Sequence, residues 1–70
     1  FGEYMKFYIT FGFDSYLRNK YMIIEAKSEL QARFIARDTF SRNWAGLYYE
    51  DEGKEIVKKY NLKQILLSEY

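Results

Sequence analysis

The segment Met5–Phe11, MKFYITF, alternates apolar and polar side chains with a period of two, and this feature most constrains the fold. Alternate side chains of a β-strand point to opposite faces, so the pattern predicts a strand with one buried face. Gly12 ends the alternation. We expect an inward face of Met5, Phe7, Ile9 and Phe11 and an outward face of Lys6, Tyr8 and Thr10.

A second strand is predicted at residues 21–26, YMIIEA. Glu25 belongs in water, so we expect Met22, Ile24 and Ala26, on the opposite face, to point toward the core. The connection at residues 12–20 contains turn residues and is short for a crossover, which favours antiparallel pairing with the first strand.

The main helix is predicted at residues 28–40, SELQARFIARDTF. Ser28 and Gln31 have the spacing of a capping box, in which each side chain bonds a backbone amide at the helix start. Small alanines on the inner face let a helix approach a sheet closely. At 100° per residue, five side chains fall within one sector of roughly 140° around the helix axis. They form the predicted core face: Ala32, Ile35, Ala36, Thr39 and Phe40.

The same helix has a second apolar face. Leu30 and Phe34 lie four residues apart and point away from the predicted core, next to Arg33 and Arg37. An apolar anchor beside arginine is typical of an interface hot spot, so these four residues are the candidate partner-binding site. The alternative is that the second helix or the C-terminal tail covers Phe34.

The C-terminal half predicts a strand at 44–50, a short helix at 51–60 and an edge strand at 62–67. In the strand at 44–50, we assign Ala45, Leu47 and Tyr49 to the inward side. Acidic residues at the start of the short helix and lysines at its end complement the helix dipole. Gly53 weakens this helix, and Asn61 suits its end.

The element order ββαβαβ predicts an α+β fold, with one main helix and one short helix packed on a small mixed or mostly antiparallel sheet. We expect one helix layer, and a right-handed crossover that places the third strand parallel to the second, beyond the first. We expect residues 5–67 to form a single domain, residues 1–4 to be a lead-in or an added extension, and residues 68–70 to be a tail.

The chain contains no cysteine or histidine, which excludes disulfides, thiolate or imidazole metal sites and the usual nucleophilic triads. Glu50, Asp51 and Glu52 could hold Mg²⁺, but neighbouring side chains diverge, and a solvated helix start is the simpler interpretation. We therefore expect no enzyme activity, metal or cofactor. Apolar runs are too short to cross a membrane, and the default location is the cytoplasm.

Aromatic residues make up 21% of the chain, which is more than one small core needs. Rings on an open sheet face can stack on single-stranded bases, so Lys6, Tyr8, Tyr21 and Trp44 form an alternative, nucleic-acid-binding site. The same rings could instead be buried in a homodimer. The charges, 11 basic against 10 acidic residues, argue weakly against a general nucleic-acid binder.

Three segments carry a family resemblance: MKFYITFG, LRNKYMIIEAKSELQARFIARDTF and WAGLYYEDE. They resemble a set of small proteins encoded by phages and prophages of Gram-positive bacteria. That set shares a K-[FY]-Y-I-T-F-G start, an E-A-x-S-E-x-x-A-R helix entry and a W-A-x-x-Y strand. Sister sequences often carry acidic residues at the positions of Leu30 and Phe34, so the outward apolar pair is particular to this chain.

The resemblance carries over no catalytic residue. The resemblance implies a role during infection, because small cofactor-free phage proteins often bind and disable a host enzyme or a defence nuclease, as the anti-CRISPR class does. The expectation is a non-enzymatic protein that binds a host or defence-system protein inside the bacterial host cell.

Overall fold

The computed structural model describes residues 3–12, 16–40 and 44–66. The proposed tail at 68–70, residue 67 of the expected last strand and the first two residues lie outside these ranges. The α+β class and the predicted element order are confirmed. The elements in chain order are β1 (Met5–Phe11), β2 (Lys20–Ala26), α1 (Glu29–Phe40), β3 (Trp44–Tyr49), α2 (Glu50–Tyr60) and β4 (Lys63–Gln64).

The four strands form one mixed sheet in the order β3-β1-β2-β4. β1 is antiparallel to both of its neighbours, and β4 runs parallel to β2. The crossover from β2 through α1 therefore leads to a parallel strand on the far side of β1, as predicted. The last strand lies at the opposite edge, also as predicted, but it is shorter than expected, with two residues.

α1 packs on the sheet through the face that the helical period predicts. Ala32 and Ala36 are fully buried, and the ring of Phe40 meets that of Phe11 edge-on with centroids 5.0 Å apart. The cap also forms, since the Gln31 amide donates to the Ser28 hydroxyl at 3.1 Å. The Gln31 side-chain oxygen accepts from the preceding Lys27 amide rather than from Ser28 itself.

The first residues of β3 do not point to the sides of the sheet that the alternation predicts. Its register with β1 shifts so that Phe11 pairs with Trp44, which makes Ala45 the extra residue of a β-bulge. The predicted inward set is correct for Leu47, which packs on the core, and wrong for Ala45, which is exposed. Trp44 packs against the core instead. Tyr49 lies on the Leu47 face, but it is also exposed.

The two helices cover opposite faces of the sheet, so the expectation of one helix layer is wrong. Tyr8 points away from Phe7 and Ile9, which pack beneath α1, and Tyr8 is buried against Gly53 of α2. The chain path explains this arrangement. The crossover through α2 returns across the sheet in the direction opposite to that of α1, so the right-handed rule places it on the other face.

Gly53 has a packing role that outweighs its low helix propensity. A Cβ atom at this position would overlap Cβ, Cγ and Cδ1 of Tyr8. These atoms lie near the root of the tyrosine side chain, so a rotamer change cannot move them far. The glycine therefore sets how closely α2 approaches β1. At the other end of α2, Asn61 takes a left-handed conformation at φ 53° and ends the helix, as predicted.

We expect Gly53→Ala to destabilise the protein by about 1–3 kcal/mol through overpacking, despite the higher helix propensity of alanine. Urea unfolding of the wild type and the variant measures the change. Gly12→Ala is the matched control, because a Cβ there would lie 3.9 Å from Ala45 Cβ, an ordinary contact. If Gly53→Ala is as stable as Gly12→Ala, the close contact between α2 and β1 does not exist.

Candidate functional site

The outer face of α1 presents two large apolar side chains to solvent. Leu30 is 65% exposed and Phe34 is 60% exposed. Both lie about half a turn away from Ala32 and Ala36, which contact the sheet. α2 packs on the opposite face of the sheet, so the alternative in which the second helix covers Phe34 is wrong.

Two arginines flank this apolar pair, and their electrostatic surroundings differ. The Arg33 guanidinium lies 3.3 Å from the Glu29 carboxylate, one helical turn away, and both side chains remain about half exposed. Such a pair contributes little to stability in water. Arg37 is exposed and forms no ion pair with the residues that the structure describes. Arg37 is therefore available to a partner's carboxylate.

The four residues proposed for a sheet-face site do not share an open surface. Tyr8 is only 6% exposed, and its ring stacks on that of Tyr21 with centroids 5.4 Å apart and planes 7° apart. Trp44 packs toward α1 because of the bulge. Lys6 is exposed and lies opposite Glu25 in the register between β1 and β2. The expected outward position of Tyr8 is therefore wrong, since α2 occupies the space where a base would stack.

The carboxylates Glu50, Asp51 and Glu52 all lie in the first turn of α2. Across residues 3–12, 16–40 and 44–66, no group of three or more acidic side chains is placed to hold a metal ion. Over the same ranges, neither helix has the length and apolarity that crossing a membrane requires.

Sequence reasoning missed a cleft at the end of the sheet where β2 and β4 begin. Arg18, Lys20 and Lys63 line its polar part, and Tyr60 at the end of α2 borders it. Arg18 and Lys20 lie far from Lys63 in the sequence, and acidic residues elsewhere balance the net charge, so neither the net charge nor a local run of cations indicated them. Only the pairing of β4 with β2 brings Lys63 beside Lys20.

No protein-family model, curated protein or solved structure matches this chain. The candidate sites therefore depend on their own geometry.

The exposure of Phe34 predicts that Phe34→Glu leaves the free energy of unfolding within about 0.5 kcal/mol of the wild type. Phe40→Ala, on the inner face of the same helix, should cost about 3–5 kcal/mol because it leaves a cavity in the core. Urea unfolding monitored by circular dichroism measures both. If Phe34→Glu unfolds the protein, Phe34 belongs to the core, and the outer face of α1 is not a free surface.

Proposed function

We propose that this protein is a non-enzymatic interaction protein of phage or prophage type, which binds a host or defence-system protein through the outer face of α1. The observation that carries the proposal is the exposure of Leu30 and Phe34, four residues apart on a helix whose other face is already buried. Singly exposed apolar side chains are common on protein surfaces, but two adjacent ones form a patch, and a patch on a rigid helix favours a docking surface.

The geometry matches helix-in-groove recognition. Leu30 and Phe34 are spaced as the i and i+4 anchors of a helix that lies in an apolar groove. Full burial of an apolar side chain of this size stabilises a complex by roughly 1.5–3 kcal/mol. α1 is held to the sheet by its alanines, so little conformational entropy is lost when the surface is covered.

The charges specify the partner further. Arg37 is unpaired within the described ranges, and Arg33 is held by Glu29, so a partner carboxylate would approach on the Arg37 side. The proposed target surface is an apolar groove with an acidic rim. Binding would be stoichiometric, and inhibition, as in the anti-CRISPR class, would follow from blocking the target's own contacts. The proposed location is the cytoplasm of the bacterial host.

Affinity capture from a host lysate tests this proposal. The wild type should retain one target, while Phe34→Glu should lose it, because a buried carboxylate in an apolar groove is costly. Tyr4→Glu is the matched control, since Tyr4 is 62% exposed and lies outside α1. If the same proteins are captured by all three forms, the outer face of α1 is not the binding site.

A charge variant distinguishes the electrostatic contribution of Arg37 to association from the apolar contribution of Phe34 to the bound complex. Arg37→Glu should slow association with the captured target and reduce its salt dependence, with a smaller effect on dissociation than Phe34→Glu. Surface plasmon resonance at two salt concentrations measures both rates. Light scattering at two protein concentrations distinguishes this mode from self-association. A dimer disrupted by Phe34→Glu would show that the face binds a second copy of the chain instead.

A further inference from the structure

Two adjoining cavities lie at the end of the molecule where β1 ends, β2 and β4 begin, and α2 terminates. They share Arg18, Asn19 and Tyr60. One, of about 320 Å³, is mostly apolar, and its walls include Phe11, Tyr48, Ile56 and Leu62. The other, of about 470 Å³, is lined by Arg18, Lys20 and Lys63 together with neutral side chains. Together they form one cleft, apolar on one side and cationic on the other.

The cationic part of the cleft is electrostatically unbalanced. Lys20 and Lys63 are direct partners in the register between β2 and β4, where like charges repel. The backbone holds them together, since the Lys63 amide donates to the Asn19 carbonyl at 3.0 Å. Among the residues that the structure describes, no acidic side chain lines either cavity, and neither lysine nor Arg18 forms an ion pair. A bound anion would relieve this repulsion.

An aromatic ring joins the two parts of the cleft. Tyr60 borders both cavities and is more than half exposed. The Lys59 ammonium lies 5.4 Å from the centroid of the Tyr60 ring and adds a fourth cation near the rim. A flat ring next to cations is the combination by which proteins hold an unpaired base and its phosphates.

We propose that this cleft binds single-stranded nucleic acid, with phosphates on Arg18, Lys20 and Lys63 and one base inserted in the apolar cavity beside Tyr60. Several cations line a space wider than one phosphate requires, which favours a polymer over a free anion. A base can enter the cavity only when it is unpaired, which favours a single strand over a duplex. The site lies outside the outer face of α1, so it stands independently of the proposed protein interaction.

Fluorescence anisotropy with a labelled single-stranded DNA dodecamer and its duplex tests the proposal. The single strand should bind more tightly than the duplex. With three phosphates neutralised, its affinity should fall about twenty-fold between about 50 and 200 mM salt. Tyr60→Ala should weaken binding by about ten-fold through lost stacking.

Lys63→Glu should weaken nucleic-acid binding without destabilising the fold, so it distinguishes the two causes of lost affinity. The new carboxylate would face Lys20 across the strands, an attractive pair, so the thermal midpoint should not fall while affinity drops by about ten-fold or more. Lys54→Glu is the control with the same charge change, since Lys54 lies on α2 outside the cleft and its ammonium lies 4.0 Å from the Glu50 carboxylate. Its affinity should stay within about three-fold of the wild type.

Three results would overturn the proposal. One is a duplex that binds as tightly as the single strand. Another is Lys54→Glu losing as much affinity as Lys63→Glu, which would indicate a diffuse charge effect. The third is inorganic polyphosphate displacing the dodecamer at equal charge concentration, which would show that no base is bound.

Discussion

The burial of β1 on both faces is the constraint on which the rest of the structure depends. Phe7 and Ile9 pack beneath α1, and Tyr8, between them in sequence, packs beneath α2. A chain of 70 residues can build only a small core, and a central strand covered on both sides buries side chains from both of its faces. This arrangement requires a close approach of α2, and Gly53 provides it. The outer face of α1 stays exposed because the core is complete without it.

The parts of the fold that follow from local periodicity could be predicted from the sequence. The inward sides of β1 and β2 and the alanine face of α1 depend on a residue's own element, and the structure has them as expected except at Met5. The prediction was wrong for Met5, which is exposed at the first position of β1. The exposure of Leu30 and Phe34 follows from the same helical geometry. The position of α2 could not be predicted in this way. It depends on the direction of two crossovers. Strand alternation alone predicts that Tyr8 faces solvent.

The bulge at Ala45 and the cleft at the start of β2 escaped prediction for a related reason. A single extra residue in β3 reverses the alternation, and the one local signal in WAGLYY is Gly46, since a glycine inside a strand often accompanies a bulge without fixing which residue is extra. The cleft depends on strand direction, which separates charges that are mixed along the chain. α2 shows this separation within one element, since acidic residues occupy its first turn and Lys58 and Lys59 its last. A net charge of +1 hides this polarity.

The bulge at Ala45 has a consequence for how the protein behaves at high concentration. β3 is an edge strand of six uncharged residues, whereas the opposite edge ends in the two-residue β4, which carries Lys63. Short length and lysine are common protections of a sheet edge against pairing with another molecule, and β3 lacks both. An inserted residue is the third protection, because it bends the strand and interrupts the regular row of amides and carbonyls. The bulge at Ala45 thereby protects the exposed edge of β3 from pairing with a strand of another molecule.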